Sequence, residues 1–445
     1  MTGRLQRWRE AMAVYWDRRI AIIFALGFTS GLPFLLTFGT LTVWLREEGL
    51  TRGTIGLFAL VGVPYTLKFL WAPVMDHVRL GAFSRWFGRR RSWILLTQAS
   101  VILTIILLGQ SDPRIAPMET AIWALLLAFC SASQDIVIDA YRVEILEKEQ
   151  YGAGAATIVF GYRIGLFVGG AGALFLADFQ GWAFAYWGMA AAMLVGVVAT
   201  ILTKEPPPPP AEEFEQLAVR RFAVFGPRGQ AIAERLEIAV VRPFVDFMTR
   251  PGWVLILVFI VFYKFGDSLA GVMANVFYVD LGFTKSEIAS VSKTFGLIMT
   301  LVGAFLGGIF VARYSIVWAL VICGVLQMLS NLMFAVQALV GHDIWMLSAT
   351  IAAENISGAM GTAAFVAYLS ALCNVRYTAT QYALVSSFMA VARTTLAASG
   401  GYMAEAFDWF WFFVATTIAA VPGLILLYWL IKSGKTGEVS NGRQD

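Results

Sequence analysis

The chain has 445 residues, of which 59% are apolar or aromatic and only 14% are charged. Soluble domains run at roughly 45–50% apolar even with glycine counted, so an ordinary water-soluble enzyme is excluded, as are disorder, collagen and coiled coil. The formal net charge of +4 would allow a nucleic-acid partner, but in so apolar a chain the placement of Lys and Arg outweighs their sum, and none is expected.

A membrane-crossing helix takes about 20 apolar residues, so twelve would use about 240, close to what this chain holds. A basic segment precedes the first apolar run, from Ile20 to Trp44. That run is too long for a signal-peptide core and lacks a convincing cleavage site, so it reads as a first span. Further runs follow at 54–72, 92–110, 119–141, 152–177 and 182–203, then at 252–279, 286–311, 316–340, 344–372, 379–403 and 409–431. With both termini placed in the cytoplasm, the outside segments carry Arg46, Arg52, Arg114 and Lys285. Lys68, Arg163, Lys264, Lys293 and Arg393 lie within spans, which leaves 24 of the 33 basic residues inside (33 less four less five). The positive-inside rule selects this orientation.

The expected organisation is a six-helix bundle over 1–203, a cytoplasmic linker over 204–250, a second six-helix bundle over 251–432 and a cytoplasmic tail over 433–445. The linker opens with five prolines at 206–210 and then turns charged. Its part from Ala231 to Met248 gathers Ile232, Leu236, Ala239 and Val240 on one helical face, either a helix lying on the membrane surface or a solvated linker helix. The halves repeat weakly. Gly49-Leu50-Thr51-Arg52 with Ile55 returns as Gly282-Phe283-Thr284-Lys285 with Ile288, and Arg163 before Gly169-Gly170 returns as Arg393 before Gly400-Gly401. The two offsets agree with a six-plus-six duplication, the architecture of the major facilitator superfamily, with a binding site between halves near the midplane. The fold class read from the sequence is therefore an all-α integral membrane protein of twelve transmembrane helices in two six-helix bundles.

Nine ionisable residues fall inside these spans: Lys68, Asp135, Asp139, Arg163, Lys264, Asp267, Lys293, Glu354 and Arg393. Each costs roughly 2.5–3.5 kcal/mol at a helix centre facing lipid, so they must face one another or water. Helical rise puts Arg163, Lys264, Glu354 and Arg393 near mid-depth, the best positions for lining a cavity. Lys264 and Asp267, three apart, share a face, and the alternative for them is a local ion pair. Lys293 lies nearer the outer edge and reads as a snorkelling residue. Asp135 and Asp139 share a face of the fourth span; Asp135 is the deeper and the first choice for a proton carrier, while Asp139 can be tied to Arg142 or Lys68 in a gate. Ser30-Gly31-Leu32-Pro33 and Gly62-Val63-Pro64-Tyr65 interrupt the first and second spans, and such breaks are tolerated only against protein or a wet cavity. Cys130, Cys323 and Cys373 lack metal-ligand spacing, and His77 and His342 have no ligand neighbours, so neither a metal nor an enzyme is expected.

The longer motifs resemble a known family. Gly62-Val63-Pro64-Tyr65-Thr66-Leu67-Lys68-Phe69-Leu70-Trp71-Ala72-Pro73, Ser133-Gln134-Asp135-Ile136-Val137-Ile138-Asp139-Ala140-Tyr141-Arg142 and Gly161-Tyr162-Arg163 look like the AmpG anhydromuropeptide permeases. Tyr263-Lys264-Phe265-Gly266-Asp267-Ser268, Glu354-Asn355 and Arg376-Tyr377-Thr378-Ala379-Thr380-Gln381-Tyr382 extend the likeness to the second half. The acetyl-CoA transporters share part of the first-half pattern and are the alternative. The loop with Asp76 and then Gly88-Arg89-Arg90-Arg91 resembles the charged loop between the second and third helices of the major facilitator superfamily, where such charges latch helix ends. The resemblance implies proton-driven import of anhydromuropeptides across the inner membrane of a Gram-negative bacterium, for wall recycling and β-lactamase induction. No cofactor beyond the proton gradient is implied, and no obligate protein partner. Such a substrate carries several carboxylates and a sugar. Arg163, Lys264, Arg393 and Lys68 suit its acids, while Gln134, Asn355, Tyr65 and Tyr162 suit its amides and hydroxyls. Glu354 and Asp267 balance the basic set or read an amine, and Gly31 joins the set at its break. Proton coupling falls to Asp135 and Asp139, and gating to Asp76, Arg89, Arg90 and Arg142.

Overall fold

A computed structural model describes residues 14–50, 54, 58–207, 241–284, 287–397, 403–404 and 406–436, with the side chains of Val14, Ala59, Val272, Ala289 and 390–397 outside the description. No strand occurs among the described residues. Among the described residues, helical segments follow the twelve expected runs. They are α1 (Arg18–Glu47), α2 (short pieces over 58–77), α3 (Arg89–Gln110), α4 (Pro117–Ile145), α5 (Lys148–Gln180) and α6 (Trp182–Leu202), then α7 (Trp253–Asp280), α8 (Ser290–Tyr314), α9 (Ile316–Val340), α10 (Ile344–Ala371), α11 (Thr378–Ala397) and α12 (Trp409–Lys432). Nine of these are each long and apolar enough to cross a membrane; α10 and α11 meet at 100° and pass that test together, and α2 is broken. The amphipathic stretch expected over 231–248 is described only from residue 241, where Arg242–Met248 is a short helix. Pro208 to Val240, Gly400 and Gly401 lie outside the described residues.

The sequence repeat appears as one chain ending used twice. Gly49 and Gly282 take φ of 82° and 84° at the ends of α1 and α7. Leu50 N–H then reaches back to the Leu45 carbonyl and Phe283 N–H to that of Tyr278, each at 3.1 Å. Both are glycine-ended helix stops in which the residue after the glycine satisfies an orphan carbonyl. A related turn uses Gly88 (φ 90°, ψ 174°) before α3 and Ser315 (φ 80°, ψ 157°) before α9. That backbone region is essentially glycine's alone and costs a side-chain residue about 1–3 kcal/mol. Ser315→Gly is therefore expected to raise the unfolding midpoint in detergent; an unchanged or lower midpoint would show that the turn is unstrained.

The expected break in α1 is displaced. The helix runs through Gly31 and Pro33 to Thr37 and breaks at Phe38 (φ −124°, ψ −89°) before resuming at Gly39. Pro33 has no N–H for the Thr29 carbonyl, and the Gln134 amide of α4 donates to that carbonyl at 2.9 Å. The helix stays continuous because another helix satisfies the orphan. Gly31 is also accounted for by packing: a Cβ there would run into the Tyr162 carbonyl, and Gly27, Gly161, Gly165 and Gly169 are equally tight between α1 and α5. Small residues let two helix backbones approach where lipid gives no hydrophobic push.

One end of the bundle carries the linker, the Asp76 to Arg91 loop and the starts of α5 and α11; it is the linker end. One buried apolar cluster there mixes both halves, uniting Ile23, Ile136 and Tyr141 with Phe259, Ala364 and Ala383. Towards the far end the core divides. One cluster holds Leu36, Trp44, Leu108 and Tyr186 from α1–α6, and another holds Phe277, Phe334 and Phe413 from α7–α12.

Candidate functional site

The linker end is held by charges. Arg90, wholly buried, pairs with Asp76 at 2.6 Å and reaches both Glu144 oxygens through Nε at 3.0 Å. Arg89 donates to Glu144 at 2.9 Å and to the Asp76 backbone carbonyl at 3.2 Å. Asp76 then crosses to the second half. It accepts the backbone N–H groups of Ala379 at 3.2 Å and Thr380 at 2.8 Å, and the Thr380 hydroxyl at 2.7 Å. These are first-turn donors of α11, which have no partner within the helix and sit at the positive end of its dipole. Beside them Arg142 donates to the Ser370 hydroxyl of α10 at 2.8 Å, pairs with Asp139 at 3.3 Å and lies over the Tyr382 ring. Of the four expected gating residues, Asp76 and Arg142 thus touch the second half directly, while Arg89 and Arg90 hold the Asp76 segment from within the first.

Sequence reasoning missed the partners of this network. Glu144 was not singled out, nor was Glu205, which accepts from the Arg90 and Arg91 N–H groups at 2.8 and 3.1 Å. A second cluster went unnoticed: Asp246 accepts from Gln381 at 2.6 Å and Asn374 at 3.0 Å and pairs with Arg250 at 3.2 Å. The available signal was an acidic residue on a side of the membrane dominated by Lys and Arg.

Above the latch, Asp135 accepts a hydrogen bond from the Ser30 hydroxyl of α1 and lies within electrostatic reach of Lys68 on α2 and of Asp139. Lys68 is buried, 8% exposed. The Tyr65 ring meets Phe34 edge-on at 5.3 Å, and its hydroxyl faces Ser131 and Thr37. Tyr162, on α5, packs its ring 6.5 Å from Phe34. Arg163 is exposed. At 100° per residue it falls on the face of α5 that carries Gly152 and Ala156, which lower down meet Gly308 of α8. That face of α5 is turned towards α8 of the second half. Gln134 is fully buried, with its amide nitrogen donating to the Thr29 carbonyl, and Gly31 packs against the Tyr162 carbonyl.

In the second half α7 is interrupted at Lys264 (φ −106°, ψ 10°), two residues before Gly266. The Lys264 ammonium donates to the Gly358 carbonyl of α10 at 3.0 Å and stands 3.6 Å from Asp267, the local ion pair that was the alternative for these two residues. Glu354 accepts from the Ser330 hydroxyl of α9 at 3.3 Å. Asn355 accepts from Thr300 at 2.8 Å and donates to Ile351 at 2.9 Å, which binds α10 to α8. Lys293 is exposed and reaches Asn275 at 3.1 Å. The Arg393 side chain lies outside the described residues, though its place in α11 is given. No metal-binding group of His, Cys, Asp and Glu occurs among the described residues.

Helices gathered in two sets, closed at one end by a charged latch and carrying ionisable side chains at mid-depth, define a membrane transporter of the major facilitator type. Solved structures agree on the fold. The proton:xylose symporter XylE bound to 6-bromo-6-deoxy-D-glucose superposes with a TM-score of 0.65 at 11% identity, over 95% of this chain and 97% of that one. The human organic anion transporter MFSD10 (TETRAN) gives 0.59 at 16% identity, over 92% and 99%. The family model described as Major Facilitator Superfamily matches residues 256–445, and that described as Acetyl-coenzyme A transporter 1 matches residues 19–182. The chain is 41% identical over 420 residues to the anhydromuropeptide permease of Escherichia coli (strain K12), covering 94% of this chain and 81% of that protein. It is 36% identical over 421 residues to the AmpG 4 transporter of Rickettsia conorii, covering 94% and 97%. The chain belongs to the AmpG anhydromuropeptide permease family.

Proposed function

We propose that this protein imports anhydromuropeptides from periplasm to cytoplasm through the bacterial inner membrane, driven by the proton gradient, for peptidoglycan recycling and β-lactamase induction. The observation that carries the reading is the 41% identity, over nearly the whole chain, to a protein named for that substrate. An acetyl-CoA substrate is the second reading, favoured by the family match over residues 19–182. It rests on a smaller part of the chain.

In this reading 1–203 and 251–432 are the moving bundles, joined by 204–250, and both termini are cytoplasmic. The linker end is then the cytoplasmic gate, closed here by Asp76, Arg89, Arg90 and Arg142, and the central space faces the periplasm. Arg163, Lys264, Lys68 and Arg393 receive carboxylates of the substrate. Tyr65, Tyr162 and Asn355 contact its neutral polar groups, while Glu354 and Asp267 balance the charge. No cofactor takes part.

Asp135 carries the coupled proton in this account, since it is the deeper carboxylate of α4 and lies between Ser30 and Lys68. Asp135→Asn is expected to abolish accumulation of labelled anhydromuropeptide by proteoliposomes under an acid-outside gradient. Accumulation unchanged at matched protein content would reject Asp135 as the carrier. Protonophore-insensitive uptake by the unaltered protein would reject proton coupling altogether.

A further inference from the structure

The second half holds a group of side chains that the latch and the α4 carboxylates leave unexplained. Asp267 on α7 and Glu354 on α10 bring their carboxyls within hydrogen-bonding range of each other. An ionised carboxylate only accepts, so two of them at that range repel, and a bond between them requires a proton on one. The Asp267 Oδ1 atom is buried and finds no donor among the described residues. Lys264 supplies one positive charge, 3.6 Å from Asp267, and spends another donor on Gly358. Among the described side chains, one ammonium thus stands against two carboxylates near mid-membrane, where an uncompensated charge is costly.

The α9 helix beside the pair, Ile316–Val340, holds no charged residue. On α9, Ser330 donates to Glu354. Gln327 and Asn331, on the same α9 face, are only 4% and 1% exposed, yet neither amide has a hydrogen-bond partner among the described residues. The Gln327 carbonyl and the Lys264 ammonium both flank Gly361 of α10. Buried amides are nearly always satisfied, so this second observation points to a polar occupant beside the carboxyl pair. The remaining titratable groups are Tyr263 and Tyr278 of α7, Cys323 of α9 and the exposed Lys293 of α8, which is held by Asn275. The Arg393 side chain of α11 lies outside the described residues. Asp267 keeps 23% of its side chain exposed, so water can reach the pair.

We propose that Asp267 and Glu354 form a proton-binding site in the second half, holding one proton between a carboxylic acid and a carboxylate, separate from Asp135 and Asp139. In the loaded state the shared proton and the Lys264 ammonium leave the group neutral. On release the acid's O–H bond breaks, the proton passes to water, and the group keeps two carboxylates against one ammonium. The role of this site in transport rests on the proton-driven reading above; its occupancy does not.

Infrared spectroscopy of the full-length protein in lipid nanodiscs, in an Asp135→Asn background, tests the site without any substrate. The expected result is a carbonyl band of a neutral carboxylic acid near neutral pH, shifted by deuterium, bleached by alkali, and lost in both Glu354→Gln and Asp267→Asn. Because the two substitutions lie on different helices, misfolding of one variant leaves the other to decide. A band unchanged in the folded variants would overturn the proposal, as would a band removed by sodium ions at fixed pH, which would make the pair a metal-cation site. A band that persists as expected in a protein that moves no anhydromuropeptide would leave the proton site standing and remove the transport reading.

Discussion

Arg90→Leu is expected to destabilise the folded protein by about 3–5 kcal/mol, the cost of leaving buried charges without their partner. Asp76, Glu144 and Arg90 have almost no exposed side-chain surface. Removing the guanidinium strips Asp76 and Glu144 of the donor they share, and Arg89, which reaches the Asp76 backbone rather than its carboxylate, cannot replace it. Asp76 also holds the first turn of α11, so the damage passes to the contact between halves. Two measurements check this. The unfolding midpoint in detergent should fall, and alkylation of Cys373, at the linker end beside α10, should speed up several-fold. Arg85→Leu is the control, since Arg85 is exposed and carries no salt bridge among the described residues; surface changes of that kind stay within about 0.5 kcal/mol. Equal behaviour of the two variants would mean that the buried network contributes nothing to closure.

The second large effect concerns recognition. Arg163→Gln should weaken binding of a peptide-bearing anhydromuropeptide by more than tenfold while affecting the peptide-free disaccharide far less. The difference arises because the peptide carries most of the carboxylates, and losing one charged hydrogen bond in a shielded site costs about 2–5 kcal/mol, against about 1.4 kcal/mol for each factor of ten. Arg163 is exposed, near mid-depth by helical rise, on the α5 face turned towards α8. Lys293→Gln, whose residue lies nearer the far end with Asn275, should be mild in the same competition assay. Losses of equal size for both ligands would assign Arg163 to the fold or the gate.

The sequence showed the order and approximate limits of the helices because lipid forces each span to be a long apolar run. The repeated motif was equally plain, though only the structure shows it to be a helix stop at which Gly49 and Gly282 take positive φ. Depth could be counted along a helix, which is why Asp135, Lys264 and Glu354 were found. Long-range pairing could not be counted. Gln134 looked like a substrate contact, and only the packing of α4 on α1 reveals that it completes the hydrogen bond Pro33 cannot make. The same limit hid Glu144, whose significance comes from two arginines more than fifty residues away. The break in α7 was illegible for a different reason: Lys264 is an ordinary helix former, and its interruption is held by contacts with α10.

The account stands most directly on what crosses the membrane. Labelled anhydromuropeptide and labelled acetyl-CoA should be offered to the same proteoliposomes under an acid-outside gradient, with and without a protonophore. The expected result is accumulation of the anhydromuropeptide alone, collapsing when the gradient is removed. Accumulation of acetyl-CoA instead, or binding of anhydromuropeptide without net flux, would contradict it.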